Sequence, residues 1–279
     1  MSIGEKQKPP TFFQYIGGKQ YLLKHLLPLI PQHKTYVEPF CGSAKLFFAK
    51  TPSQVEVLND KNKLIANLFY CVSFHFDEFY QKVSTLVYSR VLYDMFKQDV
   101  ETLTDLKIPD VDVAVKTYYL FNTSFAGKIF GGFGVSKTKN EAKSFHNKIS
   151  SLHLIHERLK NAQIECSDFE EVIKRYDSED TFFYLDPPYY GAEHYYDANF
   201  TEEDHKRLLS LLKQVRGKWL LSGYSNELYE NELKEFNRLE FQAVKHSYGL
   251  TQNSTQKERP QAVEVVWFNY EIDKSKLFR

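Results

Sequence analysis

The sequence Asp186-Pro187-Pro188-Tyr189 follows an apolar run, Phe182 to Leu185, and could act on a planar amine. Two prolines fix φ and cannot continue a sheet, so the chain must leave the strand as a stiff loop. Such a loop holds a carboxylate, a backbone carbonyl and an aromatic ring in fixed relation. The ring could stack on a base, while the two oxygens accept hydrogen bonds from the N–H groups of its amino group. The alternative, in which Asp and Tyr only cap a turn, stays open for this motif alone.

Four weaker motifs occur elsewhere. Glu38, Phe40 and Gly42 lie where a first predicted strand meets its helix, and Gly42 lets the backbone pass close to a ligand. Asp60 ends a second strand, where nucleotide-binding sheets hold ribose hydroxyls with a carboxylate, although an Asp there is also a common helix cap. The remaining two are Tyr15-Ile16-Gly17-Gly18-Lys19 and Asp168-Phe169. Each of the four is weak when taken singly.

Apolar runs bounded by turn residues alternate with helical patterns, which predicts an α/β fold with a mostly parallel sheet. The predicted strands are Thr35–Phe40, Val55–Asn59, Gln163–Cys166, Thr181–Leu185, Lys218–Ser222, Phe241–His246 and Val263–Tyr270. The predicted helices are Ser43–Lys50, Lys61–Cys71, Asp77–Gln98, Val111–Asn122, Phe169–Tyr176 and Glu202–Val215. Open α/β sheets bind ligands at the carboxyl ends of their strands, which is where the catalytic loop is expected.

Residues 74–146 interrupt this alternation and are predicted to form an inserted, mainly helical recognition module, with residues 1–73 and 147–279 as the catalytic domain. The stretch from Ala126 to Lys148 is rich in Gly and Lys, a composition suited to a mobile loop or hairpin that lies along a groove. Residues 128–160 hold seven basic and two acidic side chains, while residues 165–180 hold seven acidic and two basic. A chain with zero net charge could thus present a basic face to phosphates, although two solvated surfaces are an equal alternative.

Other features restrict the class of protein. The three cysteines are widely spaced, which argues against a zinc site or a disulfide framework. No apolar run approaches the 18 or so residues of a membrane span. We therefore expect a cytoplasmic protein without a bound metal and without a membrane partner.

In their order along the chain, the five motifs resemble the DNA adenine methylase (Dam) family of amino-methyltransferases, over roughly residues 13–70 and 144–270. The resemblance implies a Rossmann-like class I methyltransferase sheet of seven strands that ends in an antiparallel hairpin. It implies S-adenosylmethionine as the methyl donor, with contacts from Tyr15, Lys19, Glu38, Phe40, Gly42, Asp60, Asp168, Phe169 and Asp186. Asp186 would lie between the donor and the target amine, and Tyr189 would stack on a flipped base.

The implied activity is direct in-line methyl transfer to the N6 amine of adenine in double-stranded DNA, without a metal. Lys137 and Lys139 are expected to contact phosphates, while Lys128 and Phe130 lie nearer the position where the family reads bases. The family's second motif glycine is replaced by Ala44, and the run from residue 122 to 128, NTSFAGK, lacks the Arg and second Asn of members that read GATC. The recognition sequence and a cognate restriction endonuclease therefore stay open, and we expect a monomer on DNA.

Two other classes remain as alternatives at this point. An enzyme with the same loop could methylate an amine in RNA, and a non-catalytic DNA-binding subunit could share the scaffold. The order of the motifs favours DNA, and the intact sequence from Asp186 to Tyr189 argues against a non-catalytic subunit. A soluble α/β protein with a fortuitous motif is the remaining possibility.

Overall fold

The structure, a computed structural model, describes residues 9–15, 21–191, 200–244 and 261–272. The strands in these ranges are β1 (Thr35–Glu38), β2 (Val55–Asn59), β3 (Gln163–Glu165), β4 (Thr181–Leu185), β5 (Lys218–Tyr224), β6 (Asn237–Val244) and β7 (Gln261–Phe268). Within the described part of the chain these seven strands form one sheet in the order β3-β2-β1-β4-β5-β7-β6. The pairs among β1 to β5 are parallel, and β7 is antiparallel to both β5 and β6. The predicted α/β sheet with a terminal antiparallel hairpin is confirmed.

The helices in the described ranges are α1 (Leu23–Leu26), α2 (Lys45–Ala49), α3 (Lys63–Phe74), α4 (Phe76–Ser84), α5 (Arg90–Glu101), α6 (Val111–Thr123), α7 (Glu141–Ser150), α8 (Leu152–Leu159), α9 (Phe169–Tyr176), α10 (Glu202–Leu212) and α11 (Glu227–Glu232). The single helix predicted for Asp77–Gln98 is wrong, because α4 and α5 replace it. Ser89 explains why a new helix begins here, since its side chain accepts a hydrogen bond from the Leu92 N–H and caps α5. None of these helices combines the length and apolar character needed to cross a bilayer.

One of two compact units contains the whole sheet and comprises Lys24–Gly42, Pro52–Asn62 and Gln163–Arg279. Every residue of β4 is buried, which is why this central strand is almost entirely apolar. Phe183, Trp219 and Trp267 lie in a core with the apolar face of α10, and all three are 0% exposed. A capping box formed by Thr201 and Asp204 begins α10. This packing holds the carboxyl ends of the strands rigidly.

The other unit is helical and comprises Met1–Leu23, Ser43–Thr51 and Lys63–Ala162. Its core is aromatic, with the rings of Phe13 and Phe121 stacked at 4.7 Å and Phe12 against Phe69 at 5.4 Å. This unit contains residues 74–146 together with α3 and α8. The assignment of residues 74–146 to DNA recognition stays a prediction.

Candidate active site

Asn59, the last residue of β2, joins the ends of three neighbouring strands. Its side-chain Nδ2 donates to the carbonyl of Pro39 at 2.8 Å and to that of Ser167 at 3.1 Å. Its Oδ1 accepts the Ser167 N–H at 2.9 Å, and its backbone carbonyl accepts the Cys41 N–H at 2.9 Å. Asn59 is 1% exposed, so these bonds are protected from water. The loops after β1, β2 and β3 therefore form one rigid cluster.

Asp60, one residue further on, contacts the loop after β1. Its Oδ2 accepts the backbone N–H of Gly42 at 3.0 Å, and its Oδ1 accepts that of Asn62 at 2.9 Å. Gly42 has φ +48°, in the left-handed region that favours glycine. Burial raises the pKa of Asp60 to about 6, although these two N–H groups act in the opposite direction. The side chain keeps partial access to solvent.

An aromatic triangle in the same unit is formed by residues that follow β1, β3 and β4 in the chain. Phe40, Phe169 and Phe200 contact one another with centroid distances of 5.4, 5.6 and 5.7 Å. The guanidinium of Arg207 lies 4.6 Å from the centre of the Phe169 ring. The three rings thus form an apolar cluster at the carboxyl edge of the sheet.

Asp168 lies at the start of α9, where its side chain accepts the Glu170 N–H at 3.1 Å and caps the helix. Arg207 and Lys61 bind the same carboxylate at 3.1 and 3.2 Å. Burial alone would raise the pKa of Asp168, but these hydrogen bonds and the cation at Arg207 outweigh it, and the pKa is lowered. The carboxylate is thus ionised and already fixed by protein groups, and it sets the position of Phe169.

Glu38 occupies the last position of β1 and is 1% exposed. The hydroxyl of Tyr36, two residues earlier on the same face, donates to its Oε1 at 2.6 Å. Burial, followed by the charge of Glu38, raises the pKa of Tyr36 well above its ordinary value, so the hydroxyl keeps its proton. The predicted contact between Glu38 and a cofactor stays a prediction.

The loop from Asp186 to Tyr189 leaves β4 directly, as its prolines predict. Because β4 pairs with β1, this loop begins at the same edge of the sheet as the cluster joined by Asn59. Oδ1 of Asp186 is shielded from solvent, and Pro187 is buried. The ring of Tyr189 is 4% exposed, and its hydroxyl donates a hydrogen bond to Glu264 on β7. Tyr189 is thus held by β7 as well as by the loop that follows β4.

The helical unit contains the predicted site residues that come from the N-terminal turn. Tyr15 is partly exposed and its ring contacts Phe121 at 5.6 Å and Phe13 at 6.2 Å. Lys19, together with Gly17 and Gly18, lies outside the described residues. The proposed contacts of Tyr15 and Lys19 with a cofactor stay predictions.

The predicted recognition loop is in part a hairpin and in part a helix. Ser124 bridges Phe133 in antiparallel fashion, and the Phe125 N–H donates to the Gly132 carbonyl at 2.8 Å. Lys128, Lys137 and Lys139 are exposed, whereas Phe130 is half-buried. Two further lysines of the predicted loop, Lys143 and Lys148, lie on α7, so a loop reaching Lys148 is wrong. Asn140 explains the change, since its side chain accepts the Lys143 N–H and caps α7.

Several residues of the site were not predicted from the sequence. They are Asn59, Phe200, Arg207 and Glu264. Asn59 carried a local signal, because a polar residue follows two apolar ones at the end of β2, but its hydrogen-bond partner Ser167 is 108 residues away in the chain. Glu264 also carried a local signal, because it is an acidic residue within an apolar run.

The parallel sheet and the stiff loop after β4 define an open α/β fold of the kind that binds ligands at the carboxyl ends of its strands. In the described part of the chain no group of His, Cys, Asp or Glu could hold a metal ion. A family model for the D12 class of N6 adenine-specific DNA methyltransferases matches residues 15–247. The chain therefore belongs to this family and is a DNA methyltransferase that acts on the N6 amine of adenine. Membership implies S-adenosylmethionine as the methyl donor.

Individual relatives agree with this membership. The chain is 27% identical to the Type II methyltransferase M1.LlaDCHI of Lactococcus lactis subsp. cremoris over 93% of its length and 95% of the relative. It is 28% identical to the Type II methyltransferase M.CviBI of Paramecium bursaria Chlorella virus NC1A, over 78% of this chain and 85% of the relative. It is 25% identical to the DNA adenine methylase of Salmonella typhi, over 93% and 88% of the two chains. The predicted resemblance to DNA adenine methylases is thus confirmed.

Proposed function

We propose that this enzyme flips an adenine out of double-stranded DNA and methylates it by direct transfer, with Asp186 and the Pro187 carbonyl at the amine. Asp186 carries this proposal, since its carboxylate begins a stiff loop at the edge of the sheet where the aromatic triangle and Asp60 lie. An adenine within a duplex cannot reach a site between loops, and flipping costs a few kcal/mol of stacking and pairing. Stacking on an aromatic ring such as Tyr189 offsets about 1–3 kcal/mol of that.

The residues around Asp60 fit S-adenosylmethionine by the chemistry of their side chains. The Asp60 oxygens each accept one N–H, and a carboxylate oxygen has a further lone pair for a ribose hydroxyl. The triangle of Phe40, Phe169 and Phe200 packs against the adenine ring, and Asp168 acts by fixing Phe169 in place. When bound, S-adenosylmethionine supplies a methyl group activated by its sulfonium.

The chain's own groups prepare the amine for transfer. The N6 lone pair of adenine is delocalised into the ring, which makes it a poor nucleophile. Asp186 and the Pro187 carbonyl accept hydrogen bonds from the two N–H groups of the amine. These hydrogen bonds favour a pyramidal nitrogen whose lone pair is available. Both acceptors are held by the prolines before the substrate arrives, so little reorganisation is needed. Tyr189 is buried in the structure, and stacking on the base requires its ring to be uncovered when DNA binds.

Recognition of DNA is assigned to the helical unit, with Lys137 and Lys139 on phosphates and with Lys128 and Phe130 nearer the bases. All three lysines are exposed on the hairpin and the segment after it. We further propose that a single copy acts on each site and that a cognate endonuclease recognises the same sequence. Light scattering of the complex with DNA tests the first point, and protection of methylated host DNA from cleavage tests the second.

The experiment has two stages. Sequencing for N6-methyladenine in a host that expresses the protein and has no adenine methylation of its own identifies the recognition site. The purified protein is then incubated with labelled S-adenosylmethionine and duplex DNA, single-stranded DNA or RNA of that sequence. Label on adenine N6 in the duplex is expected. Preferential labelling of RNA would contradict the proposed substrate, and unchanged 2-aminopurine fluorescence at the target position would contradict flipping.

A further inference from the structure

Glu264 is a buried carboxylate within a mostly apolar strand. It lies on β7, where Val265, Val266 and Trp267 follow it, and it is 0% exposed. Removing a carboxylate from water is unfavourable unless hydrogen bonds replace its hydration. A carboxylate at this position therefore indicates a specific partner for it.

That partner is the tyrosine of the catalytic loop. The hydroxyl of Tyr189 donates a hydrogen bond to Oε1 of Glu264. Glu264 is paired with Tyr224 across β7 and β5, and the Tyr189 and Tyr224 rings meet edge to face with centroids 4.6 Å apart. Tyr189 is thus held at its hydroxyl by β7 and at its ring by β5. Two such contacts restrict both the direction and the tilt of the ring.

We propose that Glu264 is a positioning residue for methyl transfer, which orients the Tyr189 ring through the hydrogen bond between them. This inference rests on the proposed stacking of Tyr189 on the target base. Stacking requires a defined ring plane, and a misplacement of about 1 Å can lower a rate about 100-fold. Glu264 itself touches neither the amine nor the methyl donor and acts only through Tyr189.

The test compares Glu264→Leu, which removes the acceptor, with Glu264→Gln, which keeps a carbonyl oxygen at the same place. The single-turnover methylation rate is measured with the full chain, saturating S-adenosylmethionine and duplex DNA that contains the recognition site. Glu264→Leu should lower the rate at least about tenfold, and Glu264→Gln should restore it to within about threefold of wild type. The fluorescence of 2-aminopurine at the target position should change with Glu264→Leu, whereas the Kd for S-adenosylmethionine should not.

A second set of variants separates positioning from folding. Tyr189→Phe keeps the ring and removes the donor, so combining it with Glu264→Leu should lower the rate no further than Tyr189→Phe alone. The matched control is Glu56→Leu, because Glu56 is another strand glutamate and is 3% exposed. Glu56→Leu should change Tm without changing the rate of the folded protein.

The outcomes distinguish this inference from the proposed function. If Tyr189→Ala keeps the wild-type rate, the role proposed for Tyr189 fails. If Tyr189→Ala loses activity while Glu264→Leu keeps it, or if Glu56→Leu loses as much as Glu264→Leu, the inference about Glu264 is overturned and the proposed function stands. Additive losses in the double variant also overturn it.

Discussion

Asp60 accepts the backbone N–H of Gly42 at 3.0 Å and thereby joins the loop after β2 to the loop after β1. The same carboxylate has a pKa raised to about 6 by burial. A group that is proposed to hold ribose hydroxyls therefore also holds the backbone of its own site. We therefore expect its charge state to affect both stability and ligand binding.

Substitution of Asp60 by Asn should alter how stability depends on pH. The folded protein holds the Asp60 proton more tightly than the unfolded chain, where the pKa is near 3.8. From about pH 4 to about pH 6, the contribution of Asp60 to the free energy of unfolding therefore falls as pH rises. Asp60→Asn removes this titration. The free energy of unfolding of the variant minus that of wild type should therefore increase as pH rises from about 4 to about 6. Urea denaturation at several pH values measures the difference, and a constant difference would refute the raised pKa.

The affinity for S-adenosylmethionine should follow the same titration. A protonated carboxyl is a weaker acceptor for hydroxyls than a carboxylate, so the wild-type Kd should increase as pH falls below about 6. Asp60→Asn should bind more weakly at pH 8 and show a smaller dependence on pH. Calorimetric titration between pH 5.5 and 8 checks both points, and equal Kd values at pH 8 would leave Asp60 with a structural role only.

Asp186→Ala should abolish methyl transfer without unfolding the protein. The residue is partly exposed and lies in the loop after β4, outside the apolar core. A loss of at least tenfold in rate is expected, which is about 1.4 kcal/mol in the barrier. Asp180→Ala is a matched control, because Asp180 precedes the opposite end of the same strand and its side chain is 58% exposed. An Asp186→Ala rate above about a tenth of wild type would contradict the proposed role.

Gly127→Ala should destabilise the helical unit, whereas Gly132→Ala should not. Gly127 has φ +72°, and a Cβ there would lie 2.6 Å from the backbone carbon of Gln14. Gly132 has open space around its Cβ position. We expect Gly127→Ala to lower the free energy of unfolding by about 1–3 kcal/mol and Gly132→Ala to change it by less than about 0.5 kcal/mol. Denaturation of the two variants side by side measures this difference. Equal stabilities would contradict the prediction, because they would show that the backbone near Gln14 can move to accommodate the Cβ without a loss of stability.

Lys137→Ala combined with Lys139→Ala should weaken binding to every DNA sequence alike. Each lost phosphate contact should lower the slope of log K against log salt by up to about 0.9, with the methylated sequence unchanged. The matched control combines Lys34→Ala with Lys218→Ala, because these lysines lie at the amino ends of β1 and β5, at the edge opposite the catalytic loop. Filter binding at several salt concentrations provides the slopes, and equal slopes for both double variants would place the DNA elsewhere.

Lys128→Ala and Phe130→Ala should instead change which sequence is methylated. A contact to a base edge contributes about 1–3 kcal/mol of discrimination, whereas a phosphate contact contributes none. Sequencing of methylated sites in cells that express each variant measures the change. An unaltered set of sites would assign base recognition to another segment.

The sequence by itself determined the strands of the parallel sheet and the position of the catalytic loop. β2 and β4 have the predicted bounds, because a strand buried on both faces needs a mostly apolar run that stops at polar residues or turns. The loop from Asp186 to Tyr189 was predictable because the prolines act on their own backbone. Local capping signals at Ser89 and Asn140 were present as well, but the apolar pattern concealed the break between α4 and α5 and the start of α7.

Tertiary structure alone decided how these parts work together. Asn59 meets Ser167 across 108 residues, Arg207 meets Asp168 across 39, and Tyr189 meets Glu264 across 75. Hydrogen bonds of this kind depend on which strands become neighbours in the sheet, and one sequence contains no local signal for that order. Burial of Asp60 and Glu264 arises in the same way, because the groups that exclude water from them come from distant segments. The chemistry of each residue was therefore visible in the sequence, while its partners and its pKa were set by packing.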